Sequence, residues 1–227
     1  MLAMPCQLYY ITDRTQFPGD RAEQERRLLE KIAECAAAGI EMVQLREKDL
    51  EARALEELAH KAMAALGASR TRLLINSRTD VALACGAHGV HLPAHDLRAS
   101  EVRAIFSQVT AIVRMSASVP SGGIPVIGVS AHSVAEVASA EAHGADFAVF
   151  GPVFEKEGMT NREGLEQLRL ICDRAEMAQP PMPVLALGGI TLENAQRCLE
   201  AGAAGIAAIR LFQQNDVQTV AHKLRLG

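Results

Sequence analysis

Four times along this chain a helix-like segment ends in glycine and passes directly into an apolar run: Ala38-Gly39-Ile40, Cys85-Gly86-Ala87-His88-Gly89, His143-Gly144-Ala145-Asp146 and Ala201-Gly202-Ala203-Ala204-Gly205. Glycine supplies the positive φ that closes a helix, and the small residue beside it lets the helix end approach a sheet. Repetition of this joint implies alternation of helices with short buried strands, the pattern of a parallel α/β sheet.

The apolar runs at 8–11, 42–45, 73–75, 89–92, 126–129, 147–150, 184–187 and 205–209 read as strands. Between them, Asp20 followed by Glu23 forms a capping box, and further helices are expected from about Ala52, Arg78, Ala99, Ser133, Glu163 and Thr191. Roughly eight βα units within 227 residues fit a single (β/α)8 TIM barrel of the α/β class, one domain over 1–227. An open doubly wound sheet is the competing architecture, but its G-x-G-x-x-G turn after the first strand is absent. The stretch 107–125 combines a strand-like run with Pro and Gly punctuation and reads as a surface insertion.

Two of these strands end in turns with chemical meaning. Val184-Leu185-Ala186-Leu187 runs into Gly188-Gly189, and Gly205-Ile206-Ala207-Ala208 runs into Ile209-Arg210. Bare backbone N–H groups at such turns favour anions, and a barrel places a phosphate site after its seventh and eighth strands. Gly188, Gly189, Ile209 and Arg210 are therefore the phosphate-binding candidates. Glycines that merely end strands are the competing explanation.

Polar residues at the C-terminal strand ends complete the candidate site. Gln44, Arg46 and Lys48 alternate along one face of an extended segment, where they can clamp a charged ligand or form a solvated charge run. Asn76 can both donate to and accept from a heterocycle. His91 fits either a hydrogen-bonded barrel-core residue or a ligand contact. His132 stands just before the capping box Ser133-Val134-Ala135-Glu136, beside a helix start, and is the candidate catalytic acid-base group. A structural histidine bonding a loop carbonyl is its alternative.

The formal net charge of -4 and pI near 6.0 leave no basic footprint for nucleic acid. Five scattered cysteines without C-x-x-C spacing suggest reduced thiols rather than a disulfide framework or zinc site. No apolar run reaches membrane-spanning length and no signal-peptide pattern opens the chain, so a cytoplasmic protein without membrane contact is expected. A homo-oligomer stays open.

Taken in order, Leu-Tyr-Tyr-Ile-Thr-Asp, Val-Gln44-Leu-Arg46-Glu-Lys48, Ile-Asn76, Gly-Val-His91-Leu, Gly-Val-Ser130-Ala-His132-Ser, Phe-Gly151-Pro152-Val-Phe and Leu-Gly188-Gly189-Ile-Thr resemble the thiamine phosphate synthase and TenI superfamily over nearly the whole chain. The resemblance implies a small phosphorylated thiazole or pyrimidine substrate, with Gln44, Arg46, Lys48, Asn76, His91 and Ser130 binding it. Two activities follow. A synthase would couple hydroxymethylpyrimidine pyrophosphate to thiazole phosphate with Mg²⁺, and Asp96 would be a metal ligand. A TenI-like thiazole tautomerase would need no cofactor and would move a proton through His132. Departures weight the isomerase first: Ser77 stands where the synthases carry a metal-binding Asp, and Glu155-Lys156-Glu157-Gly158-Met159 replaces their Pro-Thr-x-Thr-Lys. Ile209-Arg210 also stands where the synthases usually have Ile-Ser. A non-catalytic thiamine-precursor-binding or regulatory protein is the reading outside enzymes.

Overall fold

In the computed structural model, which describes residues 6–115, 124–154 and 161–226, eight parallel strands close into a barrel in sequence order. They are β1 (Gln7–Ile11), β2 (Met42–Leu45), β3 (Arg72–Asn76), β4 (Gly89–Leu92), β5 (Val126–Ala131), β6 (Phe147–Phe150), β7 (Val184–Ala186) and β8 (Gly205–Ala208). Helices α1 (Arg21–Ala37), α2 (Ala52–Leu66), α3 (Thr79–Cys85), α4 (Ala99–Met115), α5 (Val134–Ala142), α6 (Asn161–Glu176), α7 (Ala195–Glu200), α8 (Arg210–Gln213) and α9 (Val217–Leu226) complete the described chain. The chain is a TIM barrel.

Local signals account for many of the boundaries. The Asp20 carboxylate accepts the Glu23 N–H at 2.9 Å to open α1, and the Ser133 hydroxyl accepts the Glu136 N–H at 3.2 Å to open α5. Each satisfies a backbone donor that the helix cannot. Gly86 closes α3 in the left-handed conformation, as its place after Cys85 requires.

Period-two alternation divides the core into two. Leu8, Tyr10, Val43, Leu45, Leu73 and Ile75 face the helices, within the large cluster that also holds Leu28, Ile32 and Leu58. Tyr9, Ile11, Met42, Leu74, Phe147, Val149, Leu185 and Ala207 fill the barrel interior. The Tyr9 and Phe147 rings meet edge to face, 5.4 Å between centroids and 84° apart. A Cβ on Gly128 would lie 2.3 Å from the Phe147 ring, so the missing side chain in β5 is the space that ring occupies.

Two expectations differ from the structure. Residues 107–115, expected within a surface insertion over 107–125, continue α4. Val109, Thr110 and Ile112 look strand-like in isolation, but the helix is already anchored by buried Ala99, Val102 and Phe106; packing outweighs small differences in propensity. Residues 116–123 lie outside the described part of the chain. Thr191, expected to cap α7, accepts the Glu193 N–H at 3.3 Å through its hydroxyl and the Ala195 N–H at 3.0 Å through its carbonyl, but residues 192–194 form a turn and the helix itself begins only at Ala195. Among the described residues no helix is long and apolar enough to cross a membrane, and the five cysteines are free thiols.

A candidate active site at the barrel mouth

All eight strands point their C-terminal ends the same way, so the loops that follow them share one mouth. There, His132, Gly151, Gly188, Gly189, Ile209 and Arg210 line a single cavity of about 580 Å³, together with Gln16 and Pro152. Gly188 and Gly189 have φ of 100° and 62°, and a Cβ on Gly188 would come within 2.6 Å of Pro152. That turn therefore needs glycine for both conformation and space. Neither glycine's amide N–H finds an acceptor among the described residues. The Asn194 carboxamide donates to the Gly189 carbonyl at 2.9 Å, bracing the turn from behind.

His132 follows β5 directly and is exposed to the cavity. Its Nδ1 meets the Gly151 carbonyl oxygen, which can only accept, so Nδ1 carries the hydrogen. Nε2 is the ring atom left to exchange a proton or meet a ligand. The loop-carbonyl bond expected of a structural histidine and the solvent access expected of a functional one coexist here.

A second group comes from the opposite strands. Gln44, Asn76, His91 and Ser130 fall on the inward parity of β2, β3, β4 and β5, continuing the rows of Met42, Leu74, Gly89 and Gly128. His91 Nε2 lies 2.9 Å from the Ser130 hydroxyl, and its ring is 5.7 Å from that of Tyr9. The Gln44 Nε2, His91 Nδ1 and Tyr9 hydroxyl are buried without partners among the described residues. Such atoms cost stability unless a ligand or water satisfies them.

Burial, and after it the charge on Arg46, holds the His91 imidazole at about 3, well below its ordinary 6.5. Because the folded value lies below the unfolded one, the unfolded chain takes up a proton that the native state refuses. This contribution to stability is whole above about 6.5 and is lost as pH falls toward 3. The urea midpoint is expected to drop more steeply between pH 7 and pH 4.5 in the native protein than in His91→Gln. Parallel pH dependence in the two proteins would remove His91 as the cause.

Arg46 and Lys48 part company. The strand ends at Leu45, Arg46 is half-buried, and Lys48 sits exposed in a turn. Glu47 keeps the helix-side parity of Val43 and Leu45, and the extended face expected to carry Gln44, Arg46 and Lys48 together ends before Lys48, which enters the turn. The Glu47 carboxylate accepts the Thr12 hydroxyl at 2.6 Å and Arg14 Nη1 at 2.9 Å, while Arg14 also grips Asp49 at 2.7 and 2.6 Å. Burial pushes the Glu47 carboxyl up, and the Thr12 and Arg14 bonds pull against it.

Near the end of β3, Ser77 takes a φ of 61° and its hydroxyl donates to the Asp96 carboxylate. The other Asp96 oxygen accepts the Leu97 N–H at 2.8 Å. No group of three His, Cys, Asp or Glu side chains able to hold a metal occurs among the described residues. The segment 155–159, which departs from the Pro-Thr-x-Thr-Lys pattern, lies outside those residues.

Sequence reasoning missed Thr12, Arg14, Glu47 and Asn194. For Glu47 a signal existed: it shares the parity of buried Val43 and Leu45, so period two already pointed it away from solvent.

Comparison with known proteins agrees with this architecture. A family model described as thiamine monophosphate synthase matches residues 8–212. A putative thiamine-phosphate synthase of Geobacter sulfurreducens is 40% identical over 205 residues, covering 89% of this chain and 84% of the relative. A thiamine-phosphate synthase of Syntrophomonas wolfei is 35% identical over 222 residues, covering 96% and 94%. Among solved structures, the thiamine phosphate pyrophosphorylase of Pyrococcus furiosus superposes with a TM-score of 0.75 at 29% identity, covering 100% of this chain and 96% of that one. With the ordered motifs, the closed eight-stranded barrel and a match spanning all its strands but the first residue of β1, the chain belongs to the thiamine monophosphate synthase family, which is also designated TMP-TENI.

Proposed function

We propose that this protein is a thiamine-phosphate synthase, a transferase joining hydroxymethylpyrimidine, supplied as its pyrophosphate, to a thiazole phosphate in the cytoplasm. The observation that carries this reading is the presence of two unlike half-sites at one mouth. One is a cavity with unengaged glycine amides; the other is a cluster of inward polar side chains beneath a half-buried cation. A joining reaction needs two such sites, whereas an isomerase needs one. The names of the relatives support the same order, reversing the weight that Ser77 and the 155–159 departure place on the isomerase.

In this reading Gly188, Gly189, Ile209 and Arg210 hold the thiazole phosphate. Gln44, Asn76 and Ser130 orient the pyrimidine, His91 fixes the Ser130 hydroxyl, and Arg46 with Lys48 meets the pyrophosphate. The thiazole nitrogen attacks the pyrimidine methylene carbon as its bond to the pyrophosphate oxygen breaks, and the leaving group departs as pyrophosphate. Holding both partners in line replaces a bimolecular encounter by a local one.

Mg²⁺ suits this site only as a companion of the substrate. Asp96 is one carboxylate and Ser77 one neutral oxygen, a set compatible with an ion that keeps waters and takes its remaining ligands from phosphate oxygens. When bound it would neutralise charge on the departing pyrophosphate.

A second reading rests on His132. Its Nε2 is unengaged among the described residues and it lines the same cavity as the glycine turn, an arrangement suited to shifting a proton on a phosphate-anchored thiazole. One experiment separates the possibilities: the purified protein is incubated with the thiazole phosphate tautomer, with and without the pyrimidine pyrophosphate and Mg²⁺, and products are identified by NMR. Thiamine phosphate formed only with all components is the expected result. Isomerisation alone would establish the tautomerase, and saturable binding without product would establish a non-catalytic binder.

A further inference from the structure

We infer that Thr12 and Glu47 form a buried clamp that aims Arg46 at an anionic ligand in the barrel mouth, making them positioning residues for that site. The inference rests on the proposed synthase reading, in which the anion is a pyrophosphate.

The clamp is built from four hydrogen bonds around one backbone segment. The Thr12 hydroxyl oxygen accepts the Arg46 N–H at 2.9 Å and donates its own hydrogen to Glu47 Oε1 at 2.6 Å. The Glu47 carboxylate in turn accepts the Arg14 backbone N–H, 3.1 Å from Oε2, and Arg14 Nη1. The loop after β1 is thereby tied to the loop after β2 on both sides of Arg46. Thr12 is wholly buried and Glu47 is 5% exposed, so these bonds are shielded from water. Arg14 completes the arrangement by gripping Asp49, the residue after Lys48.

Arg46 has the properties of an anion receptor. It continues the inward row of Met42 and Gln44 past the end of β2, and its charge is felt by His91 within the barrel. Arg46 is half-buried, and its guanidinium has no acidic partner among the described residues. Arg14, only one strand away, has two carboxylates. A half-buried cation left without a counter-ion at the mouth, beside another neutralised within the wall, implies that the missing charge arrives with a ligand. Freezing the Arg46 backbone reduces the freedom lost when that ligand binds.

The probe is inorganic pyrophosphate, with binding measured by titration calorimetry and folding by thermal unfolding. Arg46→Gln is expected to weaken binding at least about 10-fold, within the range for losing a charged contact. Thr12→Val should weaken it several-fold, while Thr12→Ser, which keeps the hydroxyl, should restore it. The double variant Thr12→Val/Arg46→Gln should bind no more weakly than Arg46→Gln alone, because Thr12 acts through Arg46. Undiminished binding in Thr12→Val, additive losses in the double variant, or no pyrophosphate binding by the native protein would overturn the inference. If Thr12→Val fails to fold, the Glu47→Gln variant supplies the same cycle. Pyrophosphate binding with the expected coupling but no thiamine phosphate product would leave the clamp standing and refute the synthase reading.

Discussion

Arg46→Gln is expected to lower kcat/KM for thiamine phosphate formation by about 100-fold or more while leaving the unfolding midpoint close to native, since removing one preorganised donor from developing charge has effects of that order. The small structural cost follows from the absence of any acidic partner to Arg46 among the described residues; no buried carboxylate would be stranded. The contrast is Arg14, whose removal would strand Glu47 in the wall and destabilise the fold. Steady-state kinetics with both substrates and urea titration of the same preparation check the two halves together. Unchanged turnover, or a loss explained by unfolding, would remove Arg46 from the site.

The largest stability effect is expected from Gly89→Ala. A Cβ at Gly89 would fall 1.8 Å from the Val126 carbonyl oxygen on the neighbouring strand. The obstacle is backbone, so no rotamer relieves it, and β4 and β5 would have to separate where they are paired. Overpacking of this severity should cost about 3 kcal/mol or more. Gly86→Ala is the control: Gly86 has φ of 67° and a Cβ there would meet nothing within 4 Å, so only conformational strain of about 1–2 kcal/mol applies. A denaturant midpoint lower for Gly86→Ala than for Gly89→Ala would contradict this ranking of space over φ.

Much of the site was legible because barrel strands are short and their ends are marked. Gly188, Gly189, Ile209 and Arg210 could be grouped from two apolar runs that stop at turns, and they line one cavity with His132. Gln44, Asn76, His91 and Ser130 could be chosen as polar residues at strand ends, and period two places them all inward. Period two carries Gln44 and Arg46 along one row, whereas Lys48 enters the turn after β2, where the ion pairs of Arg14 with Glu47 and Asp49 direct the chain. The length of α4 was similarly misjudged, since most of its anchoring residues lie a full turn or more before the β-branched stretch.

What the amino-acid order determined by itself was the alternation of strand and helix and the capping of α1 and α5. These depend on neighbours within a few positions, so the information is local. Only the closed barrel decided which distant residues meet: Thr12 with Glu47, His91 with Ser130, and His132 with the Gly151 carbonyl. Each joins strands or loops that are far apart in the chain, and a contact between distant segments exists only once ring closure has brought their ends to the same mouth.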